Sequence, residues 1–150
     1  MNPSTSSATH LVCPHCGAIN RIPQQRLADS PQCGKCKSAL FNGAPINLSD
    51  ATMAKHVQRN DIPLVVDFWA SWCGPCQMMA PAFASAASRL EPYVRFAKVN
   101  TETEQMSAAQ YGIRSIPTLV LFKNGQEIAR QAGAMGADDL VHWVKSQLNH

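Results

Sequence analysis

From Ile46 to His150 the apolar positions switch repeatedly between strand-like and helical spacing, which predicts an α/β domain. Ser49 is placed to cap a helix reaching about Arg59, with Met53 and Val57 on one face. Leu64 to Ala70 is short, β-branched and aromatic, with apolar residues on both faces as in a central strand; Asp67 is its misfit. A long helix is predicted from about Cys73 to Leu90, where Met79, Phe83, Ala87 and Leu90 keep helical spacing and Pro81 is expected to introduce a kink. Tyr93 to Val99 reads as a second strand, and such a strand–helix–strand unit implies a parallel pair. A short helix from about Glu104 to Tyr111 stops at Gly112. Thr118–Lys123 and Glu127–Ala132 flank Asn124-Gly125, a hairpin signal. Asp138 can cap a last helix striped by Leu140, Val144 and Leu148. The sum is a mixed central sheet with helices on both faces.

Upstream of Ile46 the pattern is lost. Residues 1–9, rich in Ser and Thr, read as a flexible tail, and Gly43-Ala44-Pro45 reads as a linker (43–45). Between them, residues 10–42 hold four cysteines, four basic residues and little that could form a core, so this segment needs a staple. Cys13-Pro14-His15-Cys16 and Cys33-Gly34-Lys35-Cys36, with sixteen residues between the pairs, have the spacing of a tetrahedral four-cysteine zinc site, one ion per chain. Four thiolates around Zn²⁺ leave a charge of about −2, which Arg21, Arg26, Lys35 and Lys37 are available to screen. His15 is a spare ligand that a completed sphere does not need.

The 150 residues suit one core and a small appendage, and an apolar content of 45% excludes disorder along the whole chain. A net charge of +3, dispersed along the chain, does not single out nucleic acid or an anionic membrane as partner. No run approaches the roughly 20 apolar residues of a membrane span, and no export signal is visible at the N-terminus, so cytoplasmic residence is expected. Thiols stay reduced there. All six cysteines fall in C-x-x-C pairs, which in that compartment points to metal or redox chemistry.

The third pair lies in Trp72-Cys73-Gly74-Pro75-Cys76, where the buried strand feeds a helix. Two thiols three apart on a first helical turn can close a disulfide with little backbone movement, and the free N–H groups and dipole of that turn stabilise a thiolate. Cys73 is expected to be the exposed nucleophile and Cys76 the less accessible resolving thiol. Lowering a thiol pKa from about 8.5 to about 7 raises its ionised fraction about tenfold, but intrinsic nucleophilicity falls about fivefold, so the net gain is small. The larger contribution comes from the second thiol held in place, at an effective molarity of up to about 10⁵ M or more. Asp67, on a buried strand, should have a raised pKa and serve Cys76 as proton acceptor and donor, unless a backbone or Lys98 contact simply satisfies it. Lys98, on the neighbouring strand, is its expected charge partner.

Residues 46–150 resemble the thioredoxin family nearly end to end. The resemblance is carried by Val66-Asp67-Phe68-Trp69-Ala70, Trp72-Cys73-Gly74-Pro75-Cys76, Ala80-Pro81, Ala97-Lys98-Val99-Asn100, Tyr111-Gly112-Ile113-Arg114, Ile116-Pro117-Thr118 and Phe122-Lys123-Asn124-Gly125. With the four upstream cysteines, the whole chain resembles the zinc-binding second type of bacterial thioredoxin. This resemblance implies a thioredoxin fold preceded by a small zinc-ribbon-like segment. It also implies a cis Ile116–Pro117 bond facing the redox pair, and a client-contact surface of Trp72, Gly74, Pro75, Ile116, Pro117 and Gly133. Gln77 and Ser115 depart from the Lys and Gly common in the family. The implied activity is protein-disulfide reduction by a reversible Cys73/Cys76 dithiol–disulfide exchange, recharged from NADPH by the flavoenzyme thioredoxin reductase, with no flavin or nucleotide bound to the chain itself. A monomer acting on client protein disulfides is expected. The alternative is a zinc-gated redox sensor or chaperone-like binding module.

Overall fold

Two sheets organise the computed structural model, which describes residues 7–149. In the smaller one, β1 (Ala8–Val12) pairs antiparallel with β2 (Ile19–Pro23), from Ala8 opposite Pro23 to Val12 opposite Ile19. The strand therefore starts inside the stretch read as a flexible tail; residues 1–6 of that stretch lie outside the described residues. Nor is the segment coreless. Leu11, Leu27 and Leu40 are buried around Cys13 and Cys33, and Ile62 of the larger domain completes this cluster. Leucines too far apart to make a periodic signal converge because the two knuckles fold them together.

The larger sheet has five strands in the order β3-β5-β4-β6-β7, with β3 (Ile46–Asn47), β4 (Leu64–Trp69), β5 (Arg95–Asn100), β6 (Thr118–Lys123) and β7 (Gln126–Ala132). The first three run parallel; β6 is antiparallel to β4 and β7 to β6, so the sheet is mixed as expected. Asn124 (φ 55°) and Gly125 (φ 79°) form the β6–β7 turn in the left-handed region that a two-residue hairpin requires.

β4 feeds two cores because successive side chains point to opposite faces. Val65 packs with Phe96, Leu119 and Leu121 against α2 (Gly74–Leu90) and α4 (Ala137–Leu148). Leu64, Val66 and Phe68 pack on the other face with Met53 and Val57 of α1 (Met53–Arg59), and with Tyr111 and Ile113 just beyond α3 (Gln105–Gln110). Asp67 has the parity of Val65 and so belongs to the α2 face.

β4 ends one residue earlier, at Trp69, and β7 begins one earlier, at Gln126, than the sequence reading, and three starts differ by more. α1 begins at Met53, with Thr52 at its N-cap, because the Ser49 carbonyl is used in a preceding turn by the N–H groups of Thr52 and Met53. β5 begins at Arg95, since the N–H groups of Tyr93 and Val94 still bond back to Leu90 at the end of α2. Gly136, not Asp138, caps α4; Asp138 lies in its first turn, where it suits the helix dipole and pairs with Arg89 at 2.8 Å. α2 runs through Pro81 as one element.

The small segment docks on one end of the sheet. The Val12 N–H donates to Asn60 Oδ1 (2.9 Å), His10 and Asp61 exchange backbone and side-chain contacts (2.7–2.9 Å), and Arg95 donates to the Leu40 carbonyl (2.6 Å). Asn60, Asp61 and Arg95 lie at the starts of β4 and β5, whereas the redox cysteines lie where β4 ends and α2 begins.

Candidate active site and metal centre

Cys73 and Cys76 form a disulfide, with Cα atoms 5.2 Å apart, at the N-terminus of α2. Cys73 is the N-cap residue, and its sulfur accepts the Cys76 N–H at 3.2 Å, so a helix-end donor is aimed at the sulfur that would carry negative charge. Pro75 in the first turn costs nothing, because its missing N–H would have had no partner there. Cys73 is 4% exposed and Cys76 2%, so the expectation of an exposed nucleophile is corrected. Ala70, Trp69 and Ile116 pack around the closed disulfide, and Cys73 Sγ lies 3.8 Å from the Ile116 carbonyl oxygen. The Ile116–Pro117 bond is cis. The Pro117 carbonyl accepts the Gly133 N–H at 2.9 Å, and Gly133 adopts φ 96°, which favours glycine there. Trp72 is 72% exposed, and Gly74 and Pro75 are exposed beside it. All six residues assigned to the contact surface therefore surround or adjoin the disulfide, or bond to those that do.

Asp67 is fully buried, and neither carboxylate oxygen has a hydrogen-bond partner among the described residues. No backbone group and no Lys98 hydrogen bond satisfies it among the described residues. Burial raises its pKa from 3.8 to about 7, against a smaller opposing pull from Lys98. Lys98 is its register partner on β5, but the ammonium lies over the Trp69 ring, 4.6 Å from the centroid, and acts on Asp67 only through space.

In the small segment, the Sγ atoms of Cys13, Cys16, Cys33 and Cys36 all lie within 4.8 Å of one another, with Cys13–Cys36 and Cys16–Cys33 at 3.6 Å. Zinc–sulfur bonds of about 2.3 Å in a tetrahedron require sulfurs about 3.8 Å apart, so the four residues fit the ion. The Cys13 sulfur accepts the N–H groups of His15 and Cys16, and that of Cys33 accepts the Lys35 N–H and the Asn20 side-chain amide, at 3.4–3.5 Å. Donors from the Cys36 backbone and the Asn20 side chain hold Cys33 down to about 5, and Ser38 lowers Cys36. Cys16, despite a backbone bond with Ala18, is pushed up to about 11 by desolvation and the neighbouring thiols, so the favoured thiolates are Cys33 and Cys36. His15 contributes its backbone.

Sequence reasoning missed the junction between the two parts. Arg95, 1% exposed, lies 4.2 Å from the Phe41 ring centroid and 3.8 Å from Glu91, and the Cys13 sulfur acts on its charge. His56 is buried against Asn60, and burial with Arg95 nearby lowers its pKa to about 4. The available signal was Arg95 itself, a charge inside the strand predicted to run from Tyr93 to Val99.

The family model described as "Thioredoxin" matches residues 44–146, and that described as "Thioredoxin 2, N-terminal", a zinc ribbon, matches residues 12–38. Thioredoxin C-3 of Corynebacterium nephridii is 45% identical over 138 residues, which is 92% of this chain and 94% of that protein. Thioredoxin of Haemophilus influenzae is 41% identical over 69% of this chain and 96% of its own length, and thioredoxin 1 of a Nostoc species is 42% identical over 70% and 98%. Fold and site define a dithiol–disulfide oxidoreductase acting on proteins. The chain belongs to the thioredoxin family, with the zinc-ribbon segment of its second type.

Proposed function

We propose that the chain is a cytosolic protein-disulfide reductase in which Cys73 is the attacking and Cys76 the resolving thiol. The Cys73 thiolate attacks one sulfur of a client disulfide, forming a mixed disulfide and expelling the other client sulfur as thiolate. Asp67 takes the Cys76 proton, the Cys76 thiolate attacks Cys73 Sγ, and the second client sulfur leaves and is protonated. Two electrons pass to the client, and the chain is left with its Cys73–Cys76 disulfide. NADPH, acting through thioredoxin reductase, then restores the dithiol.

The observation that carries this reading is the Cys76 N–H aimed at Cys73 Sγ within a pair joined on one helical turn. It supports a sulfur stabilised as leaving group and nucleophile, with its partner already in reach. Zinc, held by Cys13, Cys16, Cys33 and Cys36, would cross-link the accessory segment and carry no redox step. Exposed Cys16 and Cys36 favour a second reading, in which oxidants reach the zinc thiolates and the segment acts as a sensor.

Insulin reduction tests the assignment. Cys73→Ser should abolish turnover, and Cys76→Ser should accumulate a mixed disulfide with the client; turnover by Cys73→Ser, or no trapped species with Cys76→Ser, overturns the roles. Reductants of this fold are known at about −270 mV, and a potential here above about −200 mV would instead mark an oxidase or isomerase.

A further inference from the structure

Ser71 lies two residues before Cys73 in the loop between β4 and α2, and every polar group it owns is engaged. Its N–H and hydroxyl both donate to Glu102 Oε1, at 2.7 and 2.6 Å, and its carbonyl accepts the side-chain amide of Gln77 from α2. Glu102 comes from the connection after β5, which is itself tied down. The Thr101 N–H and hydroxyl donate to the Trp69 carbonyl at 2.8 and 3.0 Å, and the Glu102 N–H donates to Asn100 Oδ1 at 2.9 Å. The two Ser71 bonds hold the Glu102 carboxyl below the ordinary carboxylate range, so it is ionised at neutral pH and both are charge-assisted. These contacts are solvent-exposed, yet they converge on four residues of chain that end in the nucleophile and carry the exposed Trp72.

We propose that Glu102 is a positioning residue for client reduction: acting through Ser71, its carboxylate holds the Ala70–Cys73 loop so that Trp72 presents a fixed surface to the client beside Cys73. Packing does not do this for the loop's outer half, since Ser71 and Trp72 are exposed while Ala70 and Cys73 are buried. Without the anchor the loop samples other conformations. A client then meets the docking-competent one only part of the time, which weakens apparent binding in proportion. The thiol chemistry is untouched, because the Cys76 N–H that serves Cys73 Sγ belongs to α2 and not to the clamp.

The test is steady-state insulin reduction with dithiothreitol as recharging reductant, run beside the pH dependence of Cys73 alkylation by iodoacetamide. Glu102→Ala should raise KM about fivefold to tenfold with kcat within about twofold, as expected for loss of a charge-assisted pair used only in docking. Glu102→Gln keeps an acceptor oxygen and should recover most of the loss. Ser71→Ala, which keeps the N–H donor, should raise KM about twofold, and the double variant should be no worse than Glu102→Ala alone. The alkylation midpoint should stay within about 0.2 units in all variants, since a one-unit shift would mean about tenfold in thiolate stability. An unchanged KM in Glu102→Ala, an additive double variant, or a shifted alkylation midpoint overturns the proposal. Should Glu102→Ala fail to fold, the Ser71→Ala and Glu102→Gln kinetics decide it by the same KM criterion.

Discussion

Asp67 and Lys98 stand opposite each other on adjacent parallel strands, yet the ammonium rests over the Trp69 ring, and both Asp67 oxygens are without a hydrogen bond among the described residues. An ionised Asp67 is therefore a cost to the fold, and the sign of its pH dependence follows. Between pH 3.8 and about 7 the folded chain holds a proton that the unfolded chain has released. Stability contributed by the protonated group is thus complete below 3.8, falls as pH rises through about 7, and is flat beyond. Asp67→Asn should stabilise the oxidised protein by up to about 4 kcal/mol near pH 8.5 and by less than about 1 kcal/mol near pH 4. Denaturant unfolding at the two pH values checks this; equal gains at both would show that burial does not set the pKa.

Arg95 is the opposite case, a buried charge with partners on both sides of the junction. Its guanidinium donates to the Leu40 carbonyl, lies against Phe41 and faces Glu91, so it ties the small segment to the start of β5. Arg95→Met keeps bulk but strands that carbonyl and the buried Glu91, whose pKa is already raised by burial. Removing one partner of such a group costs about 3 kcal/mol or more. The expected result is an earlier unfolding transition of the oxidised chain, with zinc released to a chromogenic chelator at lower denaturant. If zinc release and global unfolding keep their wild-type midpoints, Arg95 does not join the two parts.

The regular elements and both cysteine sites were legible in the sequence because each rests on a local pattern: a short β-branched and aromatic run for β4, helical stripes for α2 and α4, and C-x-x-C pairs that reach one ion or one disulfide within a turn. What was not legible depends on contacts between distant segments. The Leu11–Leu27–Leu40 core has no period, and Arg95 looks like a misfit until Leu40 and Phe41 are folded against it. Asp138 has a cap residue's chemistry but lies two positions too late, because Gly136 already supplies the extended backbone of the cap. Exposure failed for a different reason. A place at a helix N-terminus suggested an open nucleophile, whereas Ile116, from the loop before β6, and Trp69, at the end of β4, pack over Cys73.

Zinc removal should uncouple the two parts without disabling the redox site. The four sulfurs belong to the segment that docks at the starts of β4 and β5, the Cys73–Cys76 pair lies where β4 ends and α2 begins, and among the described residues neither site supplies a group to the other. The wild-type chain should bind one zinc, and cobalt substitution should give a tetrahedral thiolate spectrum that is lost in Cys33→Ser. That variant should lose protection of the β1 and β2 amides from hydrogen exchange while keeping insulin turnover within about threefold, since the larger sheet retains its own two cores. A drop of more than about tenfold in turnover, with the larger sheet still protected, would show that the segment contributes to catalysis.

Asp67 also has a kinetic signature distinct from its effect on stability. Resolution needs the Cys76 thiol deprotonated, and Cys76, 2% exposed, has little direct access to solvent base. A carboxylate titrating at about 7 is matched to that task at neutral pH. Wild-type decay of the mixed disulfide, followed by rapid mixing with a labelled client, should accelerate as pH rises through about 7 and then level. With Asp67→Asn the same step should be slower by about 100-fold at pH 7, the lower end of the range for a lost general base. The gap should narrow above about pH 9, where the thiol ionises without help. The attack of Cys73 on the client, which precedes this step, should change by less than about threefold. An unchanged resolution rate in Asp67→Asn would leave Asp67 as a destabilising group with no part in the exchange.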